Sequence, residues 1–331
     1  MVKPSSLGDI VHALPVLDAL NRTFPQAKID WVVAKGFEAL LDHHPMINRL
    51  WIIHKDRWKN LRALSQTAAE IRSLFQALRM ERFDLVLDLQ GLLRSGLITN
   101  ATKAPVRVGF AEAREGSRLF YTHTVKGGRD IHAVDRYLKI ASAIGCDTAP
   151  VVFPLPLLKD TDAVSRIKAE SDVYAILVPG ARWATKRWPA ERFAALAAAL
   201  PVRSMVIGSR ADAETGLLIE RHSQGKARSL AGKTTLPELI SLTRAARLVV
   251  TNDSGPMHIA AALGIPTIAI FGPTNPVRTG PYGSSSLVLT PDLPCAPCYK
   301  KTCPSPQCLE GIGVDRVLEA FHAMGTLHQL I

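Results

Sequence analysis

Residues 251–274 read TNDSGPMHIAAALGIPTIAIFGPT, and this stretch determines how the rest of the chain is interpreted. The apolar run 248–250 leads into it as a buried strand. An Ala-rich segment, 258–263, has the composition of a short helix, and Gly264 follows it as a C-cap glycine. Residues 266–271 are a second apolar run. The stretch therefore predicts a strand, a tight turn, a helix and a second buried strand.

The turn before this helix predicts an anion site. Asp253, Ser254 and Gly255 place two small N-cap-type residues and a glycine where the helix begins. The first N–H groups of a helix have no intrahelical partner, and the helix dipole favours negative charge there. A pyrophosphate seat is one interpretation, and a helix end that binds only its own cap is the other. His258, one turn further on, is either a phosphate donor or a buried capping histidine.

The composition indicates a globular protein of two domains. Its 331 residues are 47% hydrophobic, enough for two ordinary cores. No apolar run spans a bilayer and no signal peptide is present, so we expect a soluble, cytoplasmic protein. The net charge of +11 fits a phosphate-rich partner or an anionic membrane face, although many enzymes are simply basic. The basic residues are scattered without an aromatic-and-basic motif, so nucleic-acid binding is not expected.

Four of the five cysteines stand close together in the sequence. They are spaced Cys295-x2-Cys298-x4-Cys303-x4-Cys308. In a cytosolic chain such a cluster favours a zinc site over disulfides, but this spacing matches no common zinc pattern. A structural zinc site and reduced thiols that pack a loop both remain open, and we favour the thiols.

Strand and helix patterns alternate along the chain, which predicts parallel, doubly wound sheets. The predicted strands are 29–33, 50–53, 85–89, 106–110, 175–178, 204–207, 248–250 and 266–271. The predicted helices are 10–24, 37–41, 64–79, 132–144, 189–200, 211–222, 236–245, 258–263 and 314 to about 327. Pro15 predicts a kink or a break in the first helix. The proline-rich stretch 150–156 is the predicted linker, which gives domains 1–155 and 156–331.

The start of the chain predicts a ligand-binding turn. Only three residues precede Pro4, fewer than the five or so of an ordinary strand, so the start of this sequence is expected to be trimmed or misassigned. Ser5 to Asp9 then forms a strand-to-helix turn. Loops at the carboxyl ends of parallel strands hold ligands, so Asp9 sits where chemistry is expected. The alternative is a carboxylate that only caps the helix.

Together these residues resemble the ADP-heptose:lipopolysaccharide heptosyltransferases, which belong to the GT-B glycosyltransferases of family 9. The motifs that carry the resemblance, beside 251–274, are Ser5-Ser6-Leu7-Gly8-Asp9, Asp88-Leu89-Gln90-Gly91, Pro179-Gly180, Lys186-Arg187-Trp188-Pro189 and Phe271-Gly272-Pro273-Thr274. The resemblance covers nearly the whole chain. It implies two facing Rossmann-like doubly wound domains, the first binding the acceptor and the second ADP-heptose. In this fold the last helix often crosses back to the first domain.

The resemblance also implies roles for individual residues. Asp9 is the expected general base, and Lys186 is the expected counter-charge of the leaving diphosphate. Ala181 and Arg182 replace a threonine pair of part of the family, so Arg182 or Thr185 is expected to meet the phosphate instead. The expected donor-binding residues are Arg182, Thr185, Asp212, Glu214, Lys233, Thr234, Asp253, Ser254, Gly255 and His258. The expected acceptor-binding residues are Ser6, Arg57, Lys59, Arg62, Gln90 and Arg118, with His132 and Arg136 as weaker candidates.

The implied reaction is an inverting transfer of L-glycero-D-manno-heptose that needs no metal or other cofactor. No G-x-G-x-x-G, P-loop or D-x-D motif points elsewhere. The expected acceptor is Kdo-lipid A, as for the first heptosyltransferase, although the cysteine loop resembles the second, which acts on heptosyl-Kdo-lipid A. We expect a monomer that associates peripherally with the anionic cytoplasmic face of the inner membrane. The alternatives are a GT-B-fold sugar-nucleotide epimerase and a non-catalytic nucleotide-sugar or lipopolysaccharide-binding protein.

Overall fold

The computed structural model describes residues 1–55, 64–305 and 307–325. Three of the expected acceptor contacts, Arg57, Lys59 and Arg62, lie outside the described residues. The chain divides into two compact units, Met1–Pro156 and Leu157–Ile331. Within the described ranges, none of the helices combines the length and the apolar content that a membrane span requires.

The first unit alternates parallel strands with helices. Its strands are β1 (Asp30–Ala34), β2 (Arg49–Ile53), β3 (Leu85–Asp88), β4 (Val106–Phe110) and β5 (His123–Val125). Its helices are α1 (Leu7–Thr23), α2 (Leu64–Met80), α3 (Leu93–Ala101) and α4 (Ala133–Ala143). The pairs β1–β2, β3–β4 and β4–β5 are all parallel, as the alternation predicts.

The first four residues take the place of a central strand in this sheet. Val2 forms parallel bridges both with Val32 of β1 and with Asp88 of β3. The proline at position 4 has no N–H, but its carbonyl still accepts a hydrogen bond of 3.0 Å from the backbone N–H of Ala34. The sheet therefore runs β2, β1, residues 1–4, β3, β4 and β5. A strand of this length suffices because both of its neighbours pair with it.

Helix α1 continues through Pro15, so the predicted break is wrong. A proline inside a helix removes one backbone hydrogen bond and costs about 3 kcal/mol. Twelve residues of α1 are buried, Pro15 among them, and each fully buried aliphatic side chain contributes about 1.5–3 kcal/mol. Burial therefore outweighs the local cost.

The second unit is a six-stranded parallel sheet with helices between its strands. Its strands are β6 (Tyr174–Val178), β7 (Arg203–Val206), β8 (Ala227–Ser229), β9 (Leu248–Asn252), β10 (Thr267–Ile270) and β11 (Ser286–Leu289), in the order β11-β10-β9-β6-β7-β8. Its helices are α5 (Asp162–Glu170), α6 (Ala190–Ala199), α7 (Ala213–His222), α8 (Leu236–Ala245), α9 (Gly255–Ala262), α10 (Pro276–Thr279), α11 (Gln307–Glu310) and α12 (Val314–Ala323). The order of the strands reverses between β6 and β9. Ligands bind at such a switch point, beyond the carboxyl ends of the strands.

The last helix packs within the second unit over its described residues. Val317, Ala320 and Phe321 of α12 are buried in the same core as Phe193 and Leu196 of α6. The buried face of α12 packs against α6 and β10. The expected contact of the last helix with the first unit stays a prediction.

Candidate functional site

The switch point of the second unit carries a buried ion pair. Lys186 lies on a short 3-10 turn, Ala184–Lys186, and Asp253 follows β9. The Nζ of Lys186 is 2.5 Å from Oδ2 of Asp253, and the two side chains are only 16% and 6% exposed. The hydroxyl of Thr274, after β10, donates to the same oxygen at 2.6 Å. The structure thus joins residues 67 positions apart in the sequence into one charged cluster.

This geometry changes the interpretation of Asp253. A carboxylate repels phosphate, so the side chain of Asp253 is unsuited to contact the diphosphate itself, and its expected place among the donor-binding residues stays a prediction. Its charge instead holds the ammonium of Lys186 at the carboxyl end of the sheet. An ammonium has three N–H donors, and Asp253 receives one. Lys186 therefore keeps donors for an incoming anion without losing its partner.

The amino end of α9 lies next to this pair in the sequence. Its N-cap is Ser254, in an extended conformation, and the Ser254 side chain makes no capping hydrogen bond within the described part of the chain. Pro256 stands in the first turn, where the lack of an N–H costs nothing. The first N–H groups of α9 are therefore not satisfied by a side-chain cap, which is the condition for an anion seat. His258 is buried one turn further on.

Asn252 ties the lysine-bearing segment to the sheet. Its Oδ1 accepts a hydrogen bond of 3.1 Å from the backbone N–H of Trp188, and its Nδ2 donates to the carbonyl of Pro179 at 2.7 Å. The indole N–H of Trp188 donates to the carbonyl of Ile312 at 2.8 Å, and the ring is buried. Our sequence analysis missed the roles of Asn252 and Thr274. A polar amide at the end of an otherwise apolar strand is the signal that marks Asn252.

Asp212 is packed into the turn that follows β7. Its Oδ2 accepts from the N–H and the hydroxyl of Ser209, at 2.9 and 2.6 Å. Its Oδ1 lies 3.9 Å from the guanidinium of Arg187, and the side chain is 11% exposed. Oδ2 is therefore committed to the turn, and the predicted contact with ribose rests on Oδ1 alone.

The Asp212 carboxylate explains why position 180 is a glycine. A Cβ built on Gly180 would lie 2.6 Å from Oδ2 of Asp212. We expect Gly180→Ala to lower the free energy of unfolding by about 1–3 kcal/mol, as overpacked sites do. Urea unfolding of the single variant and of the same change in an Asp212→Ala background measures this. An equal cost in both backgrounds would show that the carboxylate is not the obstacle.

The other predicted donor contacts are spread over the second unit. Thr185 is buried, and its hydroxyl donates to the carbonyl of Lys300 at 2.8 Å, so it holds the cysteine-bearing loop. Arg182 and Glu214 are exposed. The Nζ of Lys233 donates to the carbonyl of Ser229 at 3.2 Å. Thr234 is half-buried. Thr185 is thus committed to the protein, and the others stay predictions.

The cysteine cluster forms a loop of free thiols. Cys295 and Cys303 are exposed, and Cys298 and Cys308 are half-buried. In ranges 1–55, 64–305 and 307–325, no group of three or more His, Cys, Asp or Glu side chains has an arrangement that would hold a metal ion. Burial raises the pKa of the Cys308 thiol, which packs against the core of the second unit.

In the first unit, Asp9 is held by four contacts at the amino end of α1. Its Oδ2 accepts from the N–H and the hydroxyl of Ser6, at 2.9 and 2.7 Å. Its Oδ1 accepts from the hydroxyl of Tyr137 at 3.0 Å and lies 3.6 Å from the Nζ of Lys3. Asp9 therefore caps α1, and its carboxylate is still 38% exposed, so a role in chemistry stays a prediction.

Burial alone would raise the pKa of Asp9. The Lys3 ammonium and the hydrogen bonds from Ser6 outweigh that effect, so the pKa of Asp9 lies well below its usual range. The carboxylate is consequently ionised at neutral pH. An ionised carboxylate with an exposed face has the form that a general base requires.

Gln90 occupies the carboxyl end of β3. Its backbone N–H, like that of Gly91, donates to Oδ1 of the buried Asp88, whose Oδ2 accepts from the hydroxyl of Tyr121. Burial raises the pKa of Asp88 despite these bonds. The Oε1 of Gln90 is buried and has no hydrogen-bond partner among the described residues. Because an unsatisfied buried acceptor is costly, this atom suits a donor from a ligand.

The remaining acceptor candidates of the first unit have structural contacts or face solvent. His132 is the N-cap of α4, where its ring nitrogen accepts from the N–H of Val134 at 3.2 Å. The guanidinium of Arg136 stacks on the ring of Phe110 at 3.8 Å. Arg118 is exposed. Ser6 is also exposed, although its hydroxyl donates to Asp9.

Two solved structures share this architecture. The structure of E. coli ADP-heptose LPS heptosyltransferase II aligns with 100% of this chain and 98% of that chain, with a TM-score of 0.77 and 26% identity. E. coli heptosyltransferase WaaC with ADP aligns over 98% of both chains, with a TM-score of 0.77 and 25% identity. The two units of parallel sheets and helices, which align over nearly their whole length with these heptosyltransferases, have the fold of the GT-B glycosyltransferases.

Sequence comparison identifies the family. A family model described as glycosyltransferase family 9 (heptosyltransferase) matches residues 71–309, well over half of the chain. Lipopolysaccharide heptosyltransferase 1 of Pseudomonas aeruginosa is 36% identical over 317 residues, which cover 92% of this chain and 86% of that one. The chain belongs to glycosyltransferase family 9, and the predicted fold class and family are confirmed.

Proposed function

We propose that this enzyme transfers L-glycero-D-manno-heptose from ADP-heptose to the inner core of lipopolysaccharide, with Kdo-lipid A as acceptor. The observation that carries the proposal is the Lys186 ammonium, held next to the amino end of α9 by Asp253, whose carboxylate also accepts from the hydroxyl of Thr274. Such a site suits a diphosphate that leaves with negative charge. The heptosyltransferase names of the relatives support the sugar, and the ADP in the WaaC structure supports the nucleotide.

The reaction is a direct displacement. A hydroxyl of the acceptor loses its proton to the Asp9 carboxylate while its oxygen forms a bond to the anomeric carbon of heptose. The bond from that carbon to the β-phosphate oxygen breaks, and its electron pair leaves with ADP. Attack opposite the leaving group inverts the anomeric configuration. Lys186 and the N–H groups of α9 stabilise the charge that develops on the departing phosphate.

This displacement requires no metal ion, because Lys186 and the amino end of α9 supply the positive charge that a divalent cation supplies in other enzymes. We expect the initial rate of transfer to stay within a factor of about two when the enzyme is assayed in excess EDTA. Rates with EDTA, with added Mg²⁺ and with added Mn²⁺ form the comparison. An EDTA-sensitive rate that Mg²⁺ or Mn²⁺ restores would contradict this part of the proposal.

The second unit is the proposed donor-binding domain and the first the proposed acceptor-binding domain. The buried, unsatisfied Oε1 of Gln90 supports the acceptor assignment, because sugar hydroxyls are donors. The net charge of +11 supports peripheral association with the anionic cytoplasmic face of the inner membrane, where such an acceptor is exposed. A monomer in the cytoplasm completes the proposal.

The second candidate is heptosyltransferase II, which adds heptose to heptosyl-Kdo-lipid A. It is favoured by the full-length alignment with the E. coli enzyme of that name and by the cysteine loop. Purified enzyme with ADP-heptose and each acceptor in turn, analysed by mass spectrometry, separates the two. Heptose added to Kdo-lipid A supports the first candidate, and heptose added only to heptosyl-Kdo-lipid A supports the second. No transfer to either acceptor excludes both, and an altered sugar nucleotide formed from donor alone indicates an epimerase.

A further inference from the structure

We propose that Lys3 and Tyr137 are positioning residues for Asp9, which hold its carboxylate in one orientation and keep it free of a proton. The inference rests on the proposed function, in which Asp9 is the general base. Lys3 comes from the central strand position of the first unit and Tyr137 from α4, so two separate elements converge on the start of α1.

The contacts form a chain of three groups. The Nζ of Lys3 donates to the hydroxyl of Tyr137 at 2.7 Å and to the carbonyl of Leu89 at 3.2 Å. The hydroxyl of Tyr137 donates in turn to Oδ1 of Asp9 at 3.0 Å. Lys3 also lies 4.7 Å from the centre of the Tyr137 ring, and its side chain is only 2% exposed. A buried ammonium is costly unless it is paired, and Asp9 is the carboxylate within ion-pair distance.

These contacts leave Asp9 able to accept a proton. Its Oδ2 already receives two donors from Ser6, and its Oδ1 receives one from Tyr137. Lys3 lies 3.6 Å from Oδ1, close enough for charge attraction but too far for a good hydrogen bond. Oδ1 therefore retains an acceptor position, while rotation of the carboxylate would break three hydrogen bonds.

Other charged groups surround this chain. His12, on the next turn of α1, also lowers the pKa of Asp9, after the larger effects of Lys3 and Ser6. Asp88 acts on Lys3 from β3, and Arg136 acts on Lys3 and Tyr137 from α4. Burial raises the pKa of Asp9, and Lys3, Ser6 and His12 together overcome that effect. When Lys3 is replaced by a neutral side chain, less opposes the effect of burial. The pKa of Asp9 then rises, and the carboxylate takes up a proton at higher pH.

The test is the pH profile of kcat/KM for the full-length enzyme with ADP-heptose and its acceptor. We expect the wild-type profile to stay flat on the acidic side, down to the pH at which the protein unfolds. In Lys3→Met an acidic limb should appear, with about tenfold loss for each pH unit below the new pKa of Asp9. Tyr137→Phe should lower kcat with little change in KM, and its limb should shift less, because Lys3 remains.

Two matched variants control for the loss of a buried group. Tyr174→Phe removes a buried hydroxyl that donates to the carbonyl of Leu242 in the second unit. Lys168→Met removes a lysine paired with Asp160, also in the second unit. Both should leave the profile unchanged. Circular dichroism melting establishes whether each variant is folded. If Lys3→Met does not fold, the pH profile of Tyr137→Phe alone tests the inference.

The outcomes separate this inference from the proposed function. A wild-type enzyme that transfers no heptose, or an Asp9→Asn enzyme that retains full activity, contradicts the proposed function. If the wild type is active and Asp9→Asn is not, the proposed function holds. If the pH profiles of kcat/KM for folded Lys3→Met and Tyr137→Phe then coincide with the wild-type profile, the positioning role alone is overturned.

Discussion

Replacement of Asp9 by asparagine should lower kcat for heptose transfer by about 10²–10⁴-fold, the range that general base catalysis contributes. Asparagine has nearly the same shape as aspartate, so α1 and the turn at Ser6 stay in place. An amide does not take a proton at neutral pH, and the acceptor hydroxyl is therefore not activated. Because the proposed donor site lies in the second unit, affinity for ADP should stay within a factor of about two.

Release of ADP during the reaction gives kcat, and calorimetric titration gives the affinity for ADP. Glu238→Gln is the matched control, since Glu238 also caps a helix, accepting from the N–H of Thr235 at 2.8 Å, but stands outside both candidate sites. It should retain wild-type kcat. Full transfer activity in folded Asp9→Asn would remove Asp9 from the mechanism and favour a non-catalytic role for this unit.

Replacement of Lys186 by methionine should lower kcat by about 10²–10³-fold, the cost of losing one group that stabilises a developing negative charge. The variant should also bind ADP more weakly. Without Lys186, the Asp253 carboxylate is left beside the diphosphate with only the hydroxyl of Thr274 as partner among the groups described here. Lys301→Met is the control, because Lys301 lies 5.6 Å from the same Trp183 ring that Lys186 approaches at 4.6 Å.

A second substitution separates the two effects of Lys186. In Lys186→Met/Asp253→Asn the repelling carboxylate is also gone, so affinity for ADP should return toward the wild-type value while kcat stays low. Titration calorimetry and single-turnover rates give the two quantities. If the double variant binds ADP no better than Lys186→Met, the charge of Asp253 does not act on the diphosphate.

The order of strands and helices was predictable because the apolar runs alternate with amphipathic segments. The stretch 251–274 gave β9, α9 and β10 to within a few residues at each end. The short strands β5, β8 and β11 were missed. Their three or four residues are partly exposed and too few to show a periodic pattern. Helix α5 was missed because only Val164 and Ile167 of its nine residues are buried.

The candidate site was only partly predictable. Asp9 was singled out by its place in a strand-to-helix turn, and Lys186 by the resemblance to the family. The contact of Lys186 with Asp253 was not predicted, because it depends on β6 and β9 being neighbours in the sheet. The contact between Tyr137 and Asp9 could not be predicted either, because the two residues are 128 positions apart in the sequence. Asp253 was interpreted as a small N-cap-type residue at the start of an anion seat, and the structure shows in addition that its carboxylate pairs with the Lys186 ammonium.

The central strand formed by the first four residues has a consequence for biosynthesis. Val2 is bonded on one side to β1 and on the other to β3, which ends at Asp88. Residues 1–4 are therefore synthesised before both of their neighbours, and pairings so distant in sequence are slow to form. We expect this sheet to close only after β3 has been synthesised, and the burial of Lys3 to be completed later still, when Tyr137 of α4 packs on it.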